Sequence, residues 1–210
     1  MNNELETALF DQYPALFRDR EKSLMRWGMT CGDGWYTLID LLCALLVKQS
    51  TDIQAKQVKE KFGELRFYLQ HTNKDNQEFV FGLTSMASLL SITICDQCSL
   101  KGNRHNDLYV CTRCEKHRPR NQQKQQWPAP DLPFPTHGIG IMWLSMIDMF
   151  YSHVDANQHL YIDLAFIEAK KVNGKLELVL EKGNQQTDGM LAMLLAYASL
   201  VDDETGKPNS

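Results

Sequence analysis

The apolar positions in the first half of the chain change from a helical period to an alternating period and back. Apolar residues recur three and four positions apart over 35–49, which predicts an amphipathic helix. A short helix over 3–13 precedes it and ends at Pro14. Residues 53–71 alternate around Phe62-Gly63, as two half-buried strands joined by a turn do. Helical spacing returns from Asn73 to about Thr93.

The second half of the chain follows the same order of periods. An apolar helix is predicted over 140–154. Strands are predicted for Leu160–Val172 and Lys175–Glu181, because the Asn173-Gly174 pair between them is a strong hairpin signal. Thr187 or Asp188 is the predicted N-cap of a last helix that carries its apolar residues between 190 and 198.

Short motifs recur between the two halves. Trp35-x-x-x-Ile39-Asp40 returns 108 positions later as Trp143-x-x-x-Ile147-Asp148, and Gly63-x-Leu65-x-x-x-Leu69 returns 111 positions later as Gly174-x-Leu176-x-x-x-Leu180. We therefore expect an α+β fold of tandem α-β-β-α repeats related by a pseudo-two-fold axis, with their four strands in one sheet and helices on one face. The alternative is two segments that merely share amphipathic patterning.

Four cysteines lie between the two halves, as Cys95-x-x-Cys98 and Cys111-x-x-Cys114. Two such pairs joined by a short hairpin predict a tetrahedral Zn²⁺ site in a zinc-ribbon or treble-clef-like module. Four thiolates close the coordination shell, so the zinc would be structural. His105 and His117 are alternative ligands. A redox dithiol and a disulfide are the competing interpretations of the pairs.

These patterns divide the chain into five segments. They are an N-terminal α-β-β-α unit (1–93), the cysteine module (94–118), a linker rich in Pro and Gln (119–135), a C-terminal α-β-β-α unit (136–203) and a tail (204–210). Within the linker, Trp127 and Phe134 are the residues expected to attach it to the surface of the protein.

Composition and charge restrict the location and the partners of the protein. The N-terminus has neither the basic nor the apolar region of a signal peptide, and no apolar run is long enough for a bilayer, so we expect a cytoplasmic protein without a membrane partner. The net charge is −4, yet residues 94–126 hold seven Lys or Arg and three acids. This basic rim either contacts a phosphate or acidic partner or is a solvated linker. The candidate contact residues are Lys101, Arg104, Arg113, Lys116, Arg118 and Arg120.

Several motifs in residues 9–118 resemble those of a group of small, uncharacterised proteins of bacteria, phages and prophages. The motifs are Tyr13-Pro-Ala-Leu-Phe17, Cys31-Gly-Asp-Gly-Trp-Tyr36, Leu38-Ile-Asp40, Val58-Lys-Glu-Lys-Phe-Gly63, Leu65-Arg-Phe-Tyr68 and the Cys95/Cys98 pair. The resemblance implies an origin on a mobile element and a cysteine module that is part of the fold. It implies no activity, and it does not extend to residues 136–203.

The sequence favours binding over catalysis. The one catalytic pattern is Asp163, Glu168 and Lys170 on a predicted strand, an arrangement that Mg²⁺-dependent nucleases use, although alternating charges are also usual on the solvent face of a hairpin. We expect a non-enzymatic, zinc-stabilised protein that binds and inhibits or adapts a host protein. Nucleic-acid binding through the basic rim is the alternative, and a nuclease is a remote one. The oligomeric state is left open.

Overall fold

The computed structural model of the protein describes residues 1–106, 109–119 and 129–209. The helices are α1 (Asn3–Gln12), α2 (Tyr36–Gln49), α3 (Gln77–Ser91), α4 (Ile141–Ala156) and α5 (Gln185–Ala198). The strands are β1 (Gln54–Lys61), β2 (Glu64–Gln70), β3 (Asn103–His105), β4 (Cys111–Arg113), β5 (Thr136–His137), β6 (Ala165–Val172) and β7 (Lys175–Glu181). The fold is of the predicted mixed α+β class. The order helix, strand, strand, helix occurs on both sides of the short β3–β4 hairpin.

Two element boundaries in the second half differ from the sequence prediction. β6 begins at Ala165 and not at Leu160, because residues 157–163 form turns and bends. The N-cap of α5 is Asn184, whose side chain accepts a hydrogen bond from the Thr187 N–H at 3.0 Å. The Thr187 hydroxyl accepts from the Asn184 N–H in return, at 2.8 Å. Thr187 is therefore the third residue of a capping box, and the prediction of Thr187 or Asp188 as the N-cap is wrong.

The hairpins β1–β2 and β6–β7 have the same strand register. Gln54 faces Gln70 and Ala165 faces Glu181, which is a shift of 111 positions, and the same shift relates every other pair, including the β-bulge near the start of each hairpin. Both turns consist of two residues with positive φ: Phe62 (56°) and Gly63 (76°) in the first, Asn173 (51°) and Gly174 (76°) in the second. Because turn type and bulge set the register, the apolar face of both hairpins points the same way onto the core.

The two hairpins lie in separate sheets, so the expectation of one four-stranded sheet is wrong. β6 instead has the short parallel neighbour β5 on its other side. β1 has a parallel bridge from Thr30 to Lys59 on the corresponding side. The outer edges of β2 and β7 pair with no other strand of the described residues.

The two halves are joined through α3 and α5, which form the most extensive contact between helices. A glycine on each helix lies against the backbone of the other. A Cβ at Gly82 would lie 2.0 Å from the Gln186 carbonyl oxygen, and a Cβ at Gly189 would lie 2.1 Å from the Phe79 carbonyl oxygen. Gly189 and Gln186 each follow Gly82 and Phe79 by 107 positions, so the contact is reciprocal. Neither position leaves room for a side chain.

A single hydrophobic cluster extends through both halves of the molecule. Trp35 is fully buried in it, and its indole N–H donates to the Ile94 carbonyl at 2.9 Å. In the second half, Phe134 is buried at the end of the linker, where its ring stacks on Phe166 at 5.4 Å between centroids. Trp127 lies outside the described residues. The Trp35 contact fixes the segment that leads into the cysteine module.

Candidate metal centre

The cysteine module begins with a tight turn directly after α3. The Cys95 N–H donates to the Leu100 carbonyl at 2.8 Å, and the Ser99 N–H donates to the Cys95 carbonyl at 3.1 Å. Ser99 closes the turn with a positive φ of 66°. This geometry places the thiols of Cys95 and Cys98 on one side of the turn.

Two glycines hold this turn against the N-terminal half. The Gly34 N–H donates to the Asp96 carbonyl at 2.8 Å. A Cβ at Gly34 would lie 2.2 Å from the Cys95 carbonyl oxygen, and one at Gly32 would lie 1.9 Å from the Asp96 carbonyl oxygen. The metal-binding turn therefore packs directly against the Cys31-Gly-Asp-Gly-Trp motif. The module is an integral part of the fold.

A second turn, after β4, brings the remaining ligands. The His117 N–H donates to the Cys114 carbonyl at 3.0 Å, so both side chains face the first turn. The ligand atoms of Cys95, Cys98, Cys114 and His117 all lie within 4.8 Å of one another. It is the one such group of Cys, His, Asp or Glu found in residues 1–106, 109–119 and 129–209.

The distances within the cluster fit a tetrahedral zinc ion. Zn–S and Zn–N bonds of about 2.3 and 2.0–2.1 Å at tetrahedral angles place two sulfurs about 3.8 Å apart and a sulfur and a nitrogen about 3.5 Å apart. The Cys98 and Cys114 sulfurs are 3.6 Å apart. His117 Nδ1 lies 3.5 Å from the Cys95 sulfur and 3.4 Å from the Cys114 sulfur. The donor set and its spacing are therefore compatible with Zn²⁺.

The electrostatic surroundings of the sulfurs differ. Burial raises the pKa of the Cys95 thiol to about 12, although the backbone N–H groups of Gln97 and Cys98 act in the other direction. For Cys114, burial is opposed and outweighed by the His117 N–H, the Cys98 and Cys95 thiols and the Lys116 N–H, so its pKa is lowered. N–H groups aimed at sulfur stabilise thiolates, the form that a metal binds.

The fourth member of the cluster is His117 and not Cys111, the residue that the paired motifs predicted. Cys111 lies on the extended strand β4, about 10 Å along the chain from Cys114, whereas the Cys95 and Cys98 side chains share one turn. Its buried sulfur accepts a hydrogen bond from the Tyr109 side chain. His105 also lies outside the cluster, with Nε2 3.2 Å from the Arg113 carbonyl oxygen. The spacing Cys114-x-x-His117 equals that of Cys95 and Cys98, and it is the sequence signal for His117 as a ligand.

The predicted basic rim is partly neutralised by ion pairs. Arg113 lies 2.7 Å from Asp96, and Arg118 lies 3.1 Å from Glu115. Burial raises the pKa of the Asp96 carboxyl, and Arg113 counteracts that effect. The remaining candidates are Lys101 and Arg104, both half-buried, and Lys116, which is exposed, while Arg120 lies outside the described residues.

The three candidate nuclease residues do not lie on one strand. Asp163 lies in the turn before β6, and its carboxylate is 3.8 Å from Lys182. Glu168 and Lys170 are on β6 and form an ion pair of 2.8 Å. The prediction that Asp163 is on the strand is therefore wrong.

A turn with the same backbone hydrogen bonds as the Cys95–Cys98 turn occurs near the C-terminus. Its backbone hydrogen bonds are Asp202 N–H to the Lys207 carbonyl (2.8 Å) and Gly206 N–H to the Asp202 carbonyl (2.9 Å), each 107 positions after its counterpart in the first turn. Asp202 and Thr205 stand where the first turn has Cys95 and Cys98. The Asp202 carboxylate accepts from the Thr205 hydroxyl at 2.7 Å and from its N–H at 2.8 Å, and these bonds lower the Asp202 pKa.

Comparisons with known proteins give no relative. Neither a scan against models of protein families nor searches of curated proteins and of solved structures found a match. Across the residues that the structure describes, the helices lack the combined length and hydrophobicity that crossing a bilayer requires.

Proposed function

We propose that the protein is a non-enzymatic binding protein that a structural zinc ion stabilises. The observation that carries the proposal is the Cys95, Cys98, Cys114 and His117 cluster, whose four ligand atoms would complete a tetrahedral shell around a zinc ion. A shell closed by protein ligands leaves no position for a substrate or an activated water. The ion would connect the turn after α3 to the turn after β4, a structural role.

A tandem duplication is part of this proposal. It is supported by the equal register of the two hairpins, the reciprocal Gly82 and Gly189 contact, and the matching backbone hydrogen bonds of the turns at 95–98 and 202–205. Shared amphipathic patterning accounts for none of these three, because it fixes neither a bulge position nor a backbone contact. The proposed repeats therefore extend through residues 102 and 209, and the second has lost its thiols.

The proposed partner is another macromolecule. The resemblance to phage and prophage proteins favours a host protein that is inhibited or adapted. Nucleic-acid binding through the basic rim is the second candidate, and the ion pairs of Arg113 and Arg118 weaken it, because those charges are already compensated.

The test combines metal analysis with an assay for catalysis. Purified protein is expected to contain about one zinc ion per chain and to lose thermal stability on chelation. Single- and double-stranded DNA and RNA should remain intact with Mg²⁺. A metal-free protein of unchanged stability would refute the structural zinc, and Mg²⁺-dependent cleavage that Glu168→Ala and Lys170→Ala abolish would replace the binding function with a nuclease.

A further inference from the structure

An exposed aromatic and basic face lies on the N-terminal half. It consists of the outer side of β1 and β2 and the 3₁₀ turn Leu24–Trp27 that packs on β1. Three of its rings are exposed to solvent: Trp27 by 72%, Phe62 by 59% and Tyr68 by 44%. Large aromatic side chains exposed in one region of a surface usually mark a contact site.

Each exposed ring on this face has its own cation. The Arg26 guanidinium is 5.1 Å from the centre of the Trp27 ring. The Lys59 ammonium is 5.4 Å from the Tyr68 ring, and the Lys61 ammonium is 5.4 Å from the Phe62 ring. Within the described residues, Arg26, Lys59 and Lys61 form no ion pair, so their charges are available to an anion.

Between the 3₁₀ turn and the strands lies a shallow depression of about 570 Å³. Lys22, Lys56 and Lys59 line it together with Leu24 and Tyr68. Lys56 is 3.8 Å from Asp19, its one acidic neighbour within ion-pair distance. The face therefore offers positive charge on both sides of an aromatic floor.

The hairpin β6–β7 is an internal comparison, because its backbone register is the same and its surface chemistry is different. The counterparts of Arg66 and Tyr68 are Glu177 and Val179, 111 positions later. Lys170, the counterpart of Lys59, is held by Glu168 at 2.8 Å and faces Glu177 at 3.8 Å. The rings and free cations are thus a property of one hairpin and not a requirement of the fold.

We infer that this face binds single-stranded nucleic acid. The inference rests on the proposed function of binding a macromolecule, and it gives nucleic acid, the second candidate partner, a surface other than the basic rim. The face repeats a pair of ring and cation three times. Each ring can stack on a base while its cation binds the neighbouring phosphate, and a base with a phosphate is the repeating unit of a single strand. The four residue steps from Gln57, opposite Tyr68, to Lys61 span about 13 Å, the length of about four nucleotide steps at a stacked rise of ~3.4 Å. A duplex keeps its bases paired and stacked and offers them to no ring.

The test measures binding of a fluorescent 12-nucleotide oligo(dT) to the full zinc-loaded chain by anisotropy at increasing salt. The expected result is binding that weakens with salt, and a loss of roughly 5- to 150-fold for each of Trp27→Ala and Tyr68→Ala. Lys59→Glu should also weaken binding. The matched control Lys170→Glu and the rim variant Arg104→Glu should bind as the unchanged protein does.

Four outcomes would overturn the inference: no binding at low salt, binding that Trp27→Ala and Tyr68→Ala leave intact, equal displacement by polyglutamate, or binding of anionic phospholipid vesicles in place of oligonucleotide. Zinc content and melting temperature of every variant are measured in parallel. Because none of the substituted residues belongs to the metal cluster, these values should not change. A failure of this inference is thereby distinguished from a failure of the structural zinc.

Discussion

The choice between His117 and Cys111 as the fourth metal ligand leads to a quantitative prediction. In the structure, His117 Nδ1 lies within 3.5 Å of two cluster sulfurs, and Cys111 is not in the cluster. Replacing His117 by Ala removes one of four ligands, whereas Cys111→Ala removes a buried sulfur that contacts no metal. We expect His117→Ala to lose zinc and Cys111→Ala to retain about one ion per chain.

The size of the stability loss follows from the loop that the metal closes. The ion links Cys98 to Cys114, with fifteen residues between them. Treated as a cross-link, a loop of this length contributes about 3 kcal/mol. For a chain of this size, that corresponds to a fall in Tm of roughly 6–12 °C. Cys111→Ala should cost only about 1 kcal/mol or slightly more, as the loss of a small buried group does.

Metal content by mass spectrometry and Tm by calorimetry, each with and without chelator, are the measurements. After chelation, the unchanged protein and Cys111→Ala should both melt lower, and His117→Ala should show no further change. Zinc stoichiometry is the decisive value, because both substitutions reduce stability. If Cys111→Ala loses the ion and His117→Ala keeps it, the ligand set inferred from the geometry is wrong.

Two further predictions concern stability away from the metal. Gly189→Ala should lower the free energy of unfolding in urea by about 3 kcal/mol or more, because its Cβ would lie 2.1 Å from the Phe79 carbonyl oxygen. The control Gly138→Ala has no atom within 4 Å of the added Cβ and should lose only the roughly 1–2 kcal/mol that its positive φ costs. Equal losses in the two variants would contradict the reciprocal glycine contact. Hydrogen bonds from Ser50 and Thr72 hold the pKa of Asp52 in the folded protein below its ordinary value. The stability that they contribute is complete above the unfolded-state pKa near 4 and is lost progressively as the pH falls from there towards the lower folded-state pKa. Asp52→Asn should therefore be less stable at pH 7, with a difference that narrows at pH 3, and a constant difference would exclude this origin.

The sequence was sufficient for elements whose signals are local. Alternation around Phe62-Gly63 and Asn173-Gly174 determines both hairpins, because a two-residue turn with positive φ sets the register of its strands. The sequence was insufficient for features that depend on contacts between residues far apart in the chain. The contact between Gly82 and Gly189, which are 107 positions apart in sequence, and the separation of the two hairpins into different sheets both depend on how the halves pack together.

The residues of the metal cluster could also be predicted only in part from local sequence signals. The spacing of Cys95 and Cys98 indicates a turn, and the structure has one. The equal spacing of Cys111 and Cys114 indicates the same, yet β4 is extended there because it pairs with β3. Only the paired hairpin reveals that Cys111 is on a strand and that the turn, with its ligands, comes three residues later at Cys114 and His117.

The paired turns at 95–98 and 202–205 give the molecule an uneven response to its environment. Protonation or oxidation of the sulfurs and removal of the metal by a chelator would all weaken the first turn, while the second is closed by Asp202 and Thr205 through hydrogen bonds that need no ion. The Lys101 N–H donates to the Thr205 carbonyl at 2.8 Å, so the vulnerable turn rests on the resistant one. Removal of zinc would therefore loosen the first turn before the second, while the hydrophobic cluster common to both halves keeps the rest of the chain folded.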